Sequence, residues 1–395
     1  MAELFVSALP GEIRAAVLRD DLLDDLLILR DAPGESKGVE AGDVFLAKVQ
    51  RFDKGLDGAF VDLGLERPGL LPRKEMPGAI SGGAVPPEGT PVAVKVLRAP
   101  ADDKGARVSA KGIDVDVKGL KAPARLAAGQ GALAGLVARA QPQGIVCDDA
   151  ALLRQLKEHA GKDCEAALHS AATPLFEAKG LEEEIDALLA PGAALPAGGS
   201  LLFEPGQTLT AIDVNAGRSD ARGGSAAQAR AVNLAAVPVI ARHLRLRALS
   251  GLIVIDFLTM KSPDDRKAIA AALRQAVADD PEPCQVFGVS PSGLLEMTRR
   301  RGRPPLHELL CRPCGIAGSG RVKTPETLAY EALRAVAAGA FGRVVTTITL
   351  KVAPEVAVAL RGAQAAALVA VEQRLGRAVH VAPDPLVETC ELVLN

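Results

Sequence analysis

Two aspartates stand inside apolar runs. Asp213 lies at the end of Leu-Thr-Ala-Ile-Asp-Val-Asn-Ala-Gly, and Asp256 lies in the middle of Gly-Leu-Ile-Val-Ile-Asp-Phe. Burying an ionised carboxylate without a partner costs several kcal/mol, so such a residue is normally paired or bound to a cation. If the two runs are neighbouring strands, the carboxylates reach one edge of a sheet, and Asn215, two positions beyond Asp213, joins them on the same face. Two carboxylates and an amide form a hard-oxygen set suited to Mg²⁺, which keeps several waters and leaves room for a phosphate oxygen. The chemistry this allows is phosphodiester hydrolysis, with a metal-activated water and charge neutralisation at phosphorus. The competing reading is structural: a strand-end Asp that caps a helix or pairs with an Arg from 242–247.

A second constellation is Cys311-Arg-Pro-Cys314, which runs into Gly-Ile-Ala-Gly-Ser-Gly with no second Cys pair. One C-x-x-C supplies half of a tetrahedral zinc site. A zinc shared between two protomers, a redox pair and two ordinary cysteines are the three readings, with His307 as a possible extra ligand. A redox pair usually opens a helix after a strand, whereas this one opens into a Gly-rich loop, which favours zinc. The densest basic stretches are Arg299-Arg-Arg-Gly-Arg303 and Arg242-His-Leu-Arg-Leu-Arg247; each is either a phosphate-contacting surface or a solvated face.

Composition narrows the partners. The 395 residues carry 46 basic and 48 acidic side chains, net −2, so any nucleic-acid contact must come from local basic surfaces. With no Trp, one Tyr and nine Phe, extensive base stacking is not expected. Six scattered Cys do not make a disulfide scaffold. No apolar run reaches membrane-spanning length, and Met-Ala-Glu-Leu at the start has no basic segment followed by an apolar stretch, so the expected setting is the cytoplasm, with no membrane partner.

The elements that must position these residues follow from periodicity. Gly42 to Ala110 reads as about five short strands with turns at Asp-Lys-Gly-Leu-Asp-Gly and Ala-Asp-Asp-Lys-Gly, suiting a small OB-type barrel that offers one strand face to single-stranded nucleic acid. The stretch 119–135 reads as a linker. From about 145 strands and helices alternate: a hairpin over 200–215, a long helix containing Pro238, where a kink is expected, a strand at 251–260, a helix starting near Pro263 and a strand at Cys284. Asp213 and Asp256 therefore flank one strand–helix–strand unit. A small α+β unit ends the chain.

Taken in order, Gly-Ala-Phe60-Val-Asp-Leu-Gly, Leu-Thr-Ala-Ile-Asp213-Val-Asn-Ala-Gly, Gly-Leu-Ile-Val-Ile-Asp256-Phe-Leu-Thr-Met, Leu-Leu-Glu-Met-Thr-Arg-Arg-Arg-Gly and a C-x-x-C ahead of Gly-Ser-Gly-Arg-Val-Lys-Thr-Pro-Glu-Thr resemble the ribonuclease E/G family of bacterial endoribonucleases over nearly the whole chain. The resemblance implies a multidomain α/β architecture. An RNase H-like portion (1–36 and 144–194) is interrupted by an S1-motif OB-fold β-barrel (37–118), and a shortened joint (119–143) follows. Then come a DNase I-like α/β catalytic domain (195–305), a zinc link (306–322) and a small α+β C-terminal domain (323–395). It implies a catalytic Mg²⁺ held by Asp213 and Asp256 with Asn215 assisting, and a structural Zn²⁺ held by Cys311 and Cys314 of each of two protomers in a homodimer or larger assembly. It implies single-stranded RNA seated by Phe60 and Lys104, with Leu70 where the family has a second aromatic, and phosphate contacts from Arg299, Arg300 and Arg301. The implied activity is cleavage of A/U-rich single-stranded RNA to 5′-phosphate and 3′-hydroxyl ends, in RNA processing or decay. The joint is too short for the family's 5′-end sensor, and Leu-Val-Ala-Arg-Ala-Gln in it lacks the Arg-Thr pair. The rival expectation is a non-catalytic RNA-binding protein that uses the OB domain alone.

Overall fold

A computed structural model of the chain describes residues 1–30, 39, 42–76, 86–98, 100, 105–113, 120–127, 131–196, 198–216, 226–314, 320–340 and 346–394. Three strands open it: β1 (Ala2–Leu9), β2 (Glu12–Arg19) and β3 (Leu22–Arg30). A barrel segment follows, with β4 (Val44–Asp53), β5 (Gly58–Asp62), β6 (Gly69–Pro72), β7 (Pro91–Arg98), β8 (Arg107–Ser109) and β9 (Ala124–Ala127), then helix α1 (Ala132–Ala140). The chain then returns through β10 (Gly144–Cys147), α2 (Ala150–His159), β11 (Glu165–Leu168), α3 (Leu175–Ala178) and α4 (Leu181–Leu189). Two compact units result: Arg30–Gln141 with Arg154–Cys164, and the remainder.

The barrel is the expected OB type. Strands β5-β6-β8-β7-β4 close on themselves through the β4–β5 pairing, around Phe45, Val49, Val61, Leu71, Val94, Val96 and Val108. Inward residues alternate with outward ones, as closure demands. Glycine is required at position 105 because a Cβ there would collide with the Pro68 carbonyl oxygen. The stretch read as a linker is more ordered than its Ala/Gly-rich composition suggested: β9 adds to the outer edge of β4, and α1 buries Leu133, Leu136, Val137 and Ala140 at i, i+3, i+4, i+7 spacing.

In the other unit, β1 pairs antiparallel to β2 and parallel to β10, giving the sheet β11-β10-β1-β2-β3. Phe5, Leu23 and Leu26 pack against Leu175, Phe176, Leu181 and Ile185 of α3 and α4.

The strands that carry the aspartates come next: β12 (Gly192–Ala194), β13 (Ser200–Pro205), β14 (Leu209–Asn215), α5 (Ala226–Leu246), β15 (Gly251–Asp256), α6 (Pro263–Ala276), β16 (Cys284–Val289) and β17 (Leu295–Arg299). The expected hairpin is β13–β14, and α5 is the crossover that makes β14 and β15 parallel. Helix α5 runs through Pro238 as one element of 21 residues. Ser262 caps α6 by accepting from the N–H groups of Asp264 and Asp265, with Pro263 in the first turn. The six strands form one sheet, β12-β13-β14-β15-β17-β16. One face carries Phe203, Ile212, Val214, Ile253, Ile255, Leu295 and Met297 into a core with Ile240 and Leu244 of α5 and Ile269 and Leu273 of α6. Each such fully buried side chain stabilises the fold by about 1.5–3 kcal/mol. The opposite face is open.

The chain ends in α7 (Leu306–Leu310), a hairpin of β18 (Cys311–Pro313) and β19 (Arg321–Lys323), α8 (Pro325–Ala340), β20 (Ile348–Val352), α9 (Pro354–Arg361), α10 (Ala365–Leu375), β21 (Val379–Pro383) and β22 (Cys390–Leu394). The sheet β21-β20-β22 packs on α8 to α10 in the α+β arrangement expected. No single helix among the described residues is long and apolar enough to cross a membrane. The bent pair α9–α10 is apolar enough only in combination, and it buries Val356, Leu360, Ala367 and Val371 in this core.

Candidate functional site

Asp213 and Asp256 are exact register partners on the adjacent parallel strands β14 and β15. Strand spacing puts in-register neighbours about 4.8 Å apart along the sheet. Alternation does the rest: Ile212, Val214, Ile253 and Ile255 point into the helix-covered core, so Asp213, Asn215 and Asp256 share the open face. The Asn215 amide donates from Nδ2 to Asp213 Oδ2 at 2.6 Å. The three residues picked out by spacing are therefore brought together.

Their setting differs from expectation. Asp256 is the last residue of β15 and exposed, and Asp213 is only half-buried. The apolar residues around them misled because Leu252, which looks like core, lies on the open face and is 41% exposed. Neither carboxylate has a Lys or Arg ion-pair partner among the described residues. The basic stretch 242–247 serves the interior instead: Arg245 pairs with Asp24 at 2.6 Å, and Arg247 donates to the Ala190 and Gly192 carbonyls while its guanidinium stands 4.5 Å over the Phe203 ring. Burial, reinforced by Arg247 and Arg242, pushes His243 down to about 3, so it is neutral and accepts from Arg247 Nε. The structural reading of the aspartates as Arg partners or caps thus loses its partners.

Two like charges side by side, neither with a cationic partner among the described residues, are the arrangement that a divalent metal relieves. The donor set fits Mg²⁺: Asp213 and Asp256 would hold it through carboxylate oxygens, with Asn215 orienting Asp213, and the open face leaves room for waters and a phosphate. A cleft of about 660 Å³ lies towards the start of β14, lined by Leu202, Phe203, Leu209, Ala211, Arg247 and His307, and contains none of the three site residues. Ala211 in its wall stands two positions before Asp213.

The Arg299–Arg301 run divides. Arg299 alternates inward with Leu295 and Met297 on β17, is 3% exposed, and makes a two-pronged contact to Asp280 with a further bond from Nη1 to the Leu249 carbonyl. It has no face left for a phosphate, which corrects the sequence expectation. Arg300 is exposed but donates to Glu282 at 2.9 Å. Arg301 is exposed. Arg303 is tied to the Leu26 and Arg245 carbonyls. The signal for this split was the alternation of Leu-Glu-Met-Thr-Arg, which marks a strand.

Cys311 lies in β18 and Cys314 directly after it, where its N–H donates to the Gly320 carbonyl at 2.7 Å across the hairpin. Both thiols are free. Burial raises Cys311 above the usual thiol range, opposed by Lys323 and Arg321. A redox pair usually opens a helix N-terminus, whereas this one sits on a hairpin, which suits a metal site better. Two thiols on one hairpin fit half of a tetrahedral zinc site. His307, held below its ordinary value by burial and Arg321, faces the cleft; among the described residues no three His, Cys, Asp or Glu side chains gather as a complete metal cluster.

On the barrel, Phe60 is half-buried on the outer surface, paired in register with Arg51 on one side and Leu70 on the other; Leu70 in turn pairs with Arg107. The Arg51 guanidinium lies 4.7 Å over the Phe60 ring. Two apolar side chains flanked by arginines thus form one row across four strands, with Leu70 in the place of a second ring. Lys104 lies outside the described residues.

Comparison with known proteins gives the family. Residues 118–302 match the Ribonuclease E/G family model, 39–118 an S1 RNA binding domain, and 310–395 the RNase E/G thioredoxin-like domain. Ribonuclease G of Escherichia coli K12 is 26% identical over 98% of this chain and 97% of its own length, in an alignment of 483 positions. Ribonuclease G of Salmonella typhimurium is 35% identical over 219 residues, where the chain spans 45% of that relative, and Ribonuclease E of Escherichia coli K12 is 39% identical over 170 residues, 16% of its length. The two ribonuclease E/G models together cover more than half of the chain and enclose the aspartate pair and the cysteine hairpin: the chain belongs to the ribonuclease E/G family.

Proposed function

We propose that this chain is a Mg²⁺-dependent endoribonuclease that cuts A/U-rich single-stranded RNA to 5′-phosphate and 3′-hydroxyl ends, acting in the cytoplasm. The observation that carries the reading is the pair of in-register carboxylates, uncompensated by any described cationic side chain, on the open face of a rigid sheet. When bound there, Mg²⁺ lowers the pKa of a coordinated water and offsets charge at the phosphoryl group. Asp213 and Asp256 contribute ligand oxygens, and Asn215 fixes the Asp213 rotamer through its 2.6 Å hydrogen bond. Their strands end at this point, so the carboxylates project where an RNA backbone can approach. The barrel binds the strand through Phe60 and the arginines in its row, and Arg301 adds a phosphate contact.

Cys311 and Cys314 are proposed to hold one zinc together with the same pair of a second copy, which makes the protein a homodimer at least.

Asp213→Asn and Asp256→Asn should each reduce cleavage of a short A/U-rich oligoribonucleotide by at least about a hundredfold while RNA affinity stays within about threefold, because they remove metal ligands and not phosphate contacts. Asn215→Ala should be milder. Wild-type cleavage by either Asp variant would refute the site. A chain that only binds RNA would retain the oligonucleotide with Mg²⁺ present and leave it whole.

A further inference from the structure

We infer that Asn233 is a positioning residue for the carboxylate site, fixing the chain just beyond Asp256 so that this carboxylate stays opposite Asp213; the inference rests on the reading of the pair as a divalent-cation site. Asn233 lies in α5 and is fully buried. Its amide clasps both polar atoms of one residue. Nδ2 donates to the Leu258 carbonyl at 2.9 Å, and the Leu258 N–H donates to Oδ1 at 3.0 Å. Leu258 is two positions past Asp256, where β15 has ended and the ladder no longer takes its backbone groups. A second clasp follows from α6, where Arg266 Nε donates to the Met260 carbonyl at 2.9 Å. Phe257, just before the first clasp, and Met260, at the second, are inserted into the core.

Asp213 is oriented by Asn215. Asp256 makes no comparable side-chain bond among the described residues, so the backbone that leads into the clasp sets its direction. Asparagine is the side chain suited to the task, since one planar group offers a donor to the carbonyl and an acceptor to the N–H. A pair of ligands held at fixed separation binds an ion without first being ordered, whereas a ligand on a fraying strand end must be ordered by the ion, at a cost in affinity.

The test measures Mn²⁺ binding to the whole chain by electron paramagnetic resonance without RNA, beside oligoribonucleotide cleavage across a Mg²⁺ titration. Asn233→Ala should weaken Mn²⁺ binding by about tenfold. The Mg²⁺ concentration for half-maximal cleavage should rise by a similar factor, with KM for RNA at saturating Mg²⁺ within about twofold. Ile240→Val, a core substitution in the same helix that leaves the clasp intact, should lower the melting temperature and leave Mn²⁺ affinity unchanged. Arg266→Ala, which removes only the second clasp, should weaken Mn²⁺ binding less, and it decides the matter where Asn233→Ala does not fold. Wild-type Mn²⁺ affinity in a folded clasp variant, or an equal loss in Ile240→Val, overturns the positioning role. If Asp213→Asn and Asp256→Asn leave Mn²⁺ binding unaltered, the cation reading itself fails, and that result is distinct from failure of the clasp.

Discussion

Arg299 and Arg301 are two positions apart and do opposite things. The Arg299 side chain is buried in a two-pronged pair with Asp280, itself fully buried, so removing the guanidinium strands a carboxylate in the interior. Arg299→Ala should therefore destabilise the fold by about 3–5 kcal/mol, read as a lower midpoint in urea. Arg301→Ala should leave that midpoint unchanged and weaken RNA binding, with a shallower dependence of log affinity on log salt by at most about one unit. An unchanged salt slope would remove Arg301 from the interface. The same residues show what could be read in advance. The types and spacing of Asp213, Asn215 and Asp256 announced a site because a period of two and one helical crossover allow few arrangements. Their exposure was not legible, since a sheet covered on one face but carrying Leu252 and Val254 on the other looks in sequence like a strand buried on both.

At the scale of elements, the barrel was legible because its turns are marked by Gly and Asp and its strands alternate. Strand β9 was not, since Ala-Arg-Leu-Ala has no strand signature of its own and is recruited by the free edge of β4. Strand β17 carries its signal in the alternation Leu-Glu-Met-Thr-Arg, which the arginines that follow it drew attention away from. The barrel also makes a prediction of its own. Phe60 and Leu70 are cross-strand partners on the outer surface, and a ring at position 70 would offer a second stacking platform beside the first. Leu70→Phe should therefore tighten binding of single-stranded RNA by about 1–3 kcal/mol, measured by fluorescence anisotropy, and Phe60→Ala should weaken it by a similar amount. Equal affinities in all three proteins would mean that the strand does not cross this row. The cysteine hairpin is testable in the same spirit. Cys311→Ser or Cys314→Ser should lower metal content from about one zinc per two chains and shift the protein towards monomer in sedimentation. One zinc per chain, or a dimer indifferent to both substitutions, would call for other ligands.

For the molecule as a whole, the alignment with the Escherichia coli relative extends over 483 positions against the 395 residues here, so that relative carries segments this chain lacks. The stretch that follows the barrel passes from β9 through α1 directly into β10, and it contains no Arg-Thr pair. If the missing segments are the end sensor, oligoribonucleotides with 5′-hydroxyl, monophosphate or triphosphate ends should be cut at rates within about threefold of one another, since less than about 0.7 kcal/mol would separate them. A tenfold preference for the monophosphate, lost in Arg139→Ala, would restore end sensing. The sheet containing β1 and β10 has a further consequence, for biosynthesis. Ser7 of β1 bonds to Asp148, which follows β10, across 141 positions of chain, and the whole barrel lies between them. The barrel's strands β4 to β9 all pair with one another, whereas β1, made before them, waits for β10 with its parallel edge unpaired. Closing so long a loop carries a conformational entropy cost that an already folded barrel reduces, by replacing much of the flexible loop with a compact unit. The insertion therefore favours an order of folding in which the barrel, complete by residue 127, forms before the β1–β10 pairing closes around it.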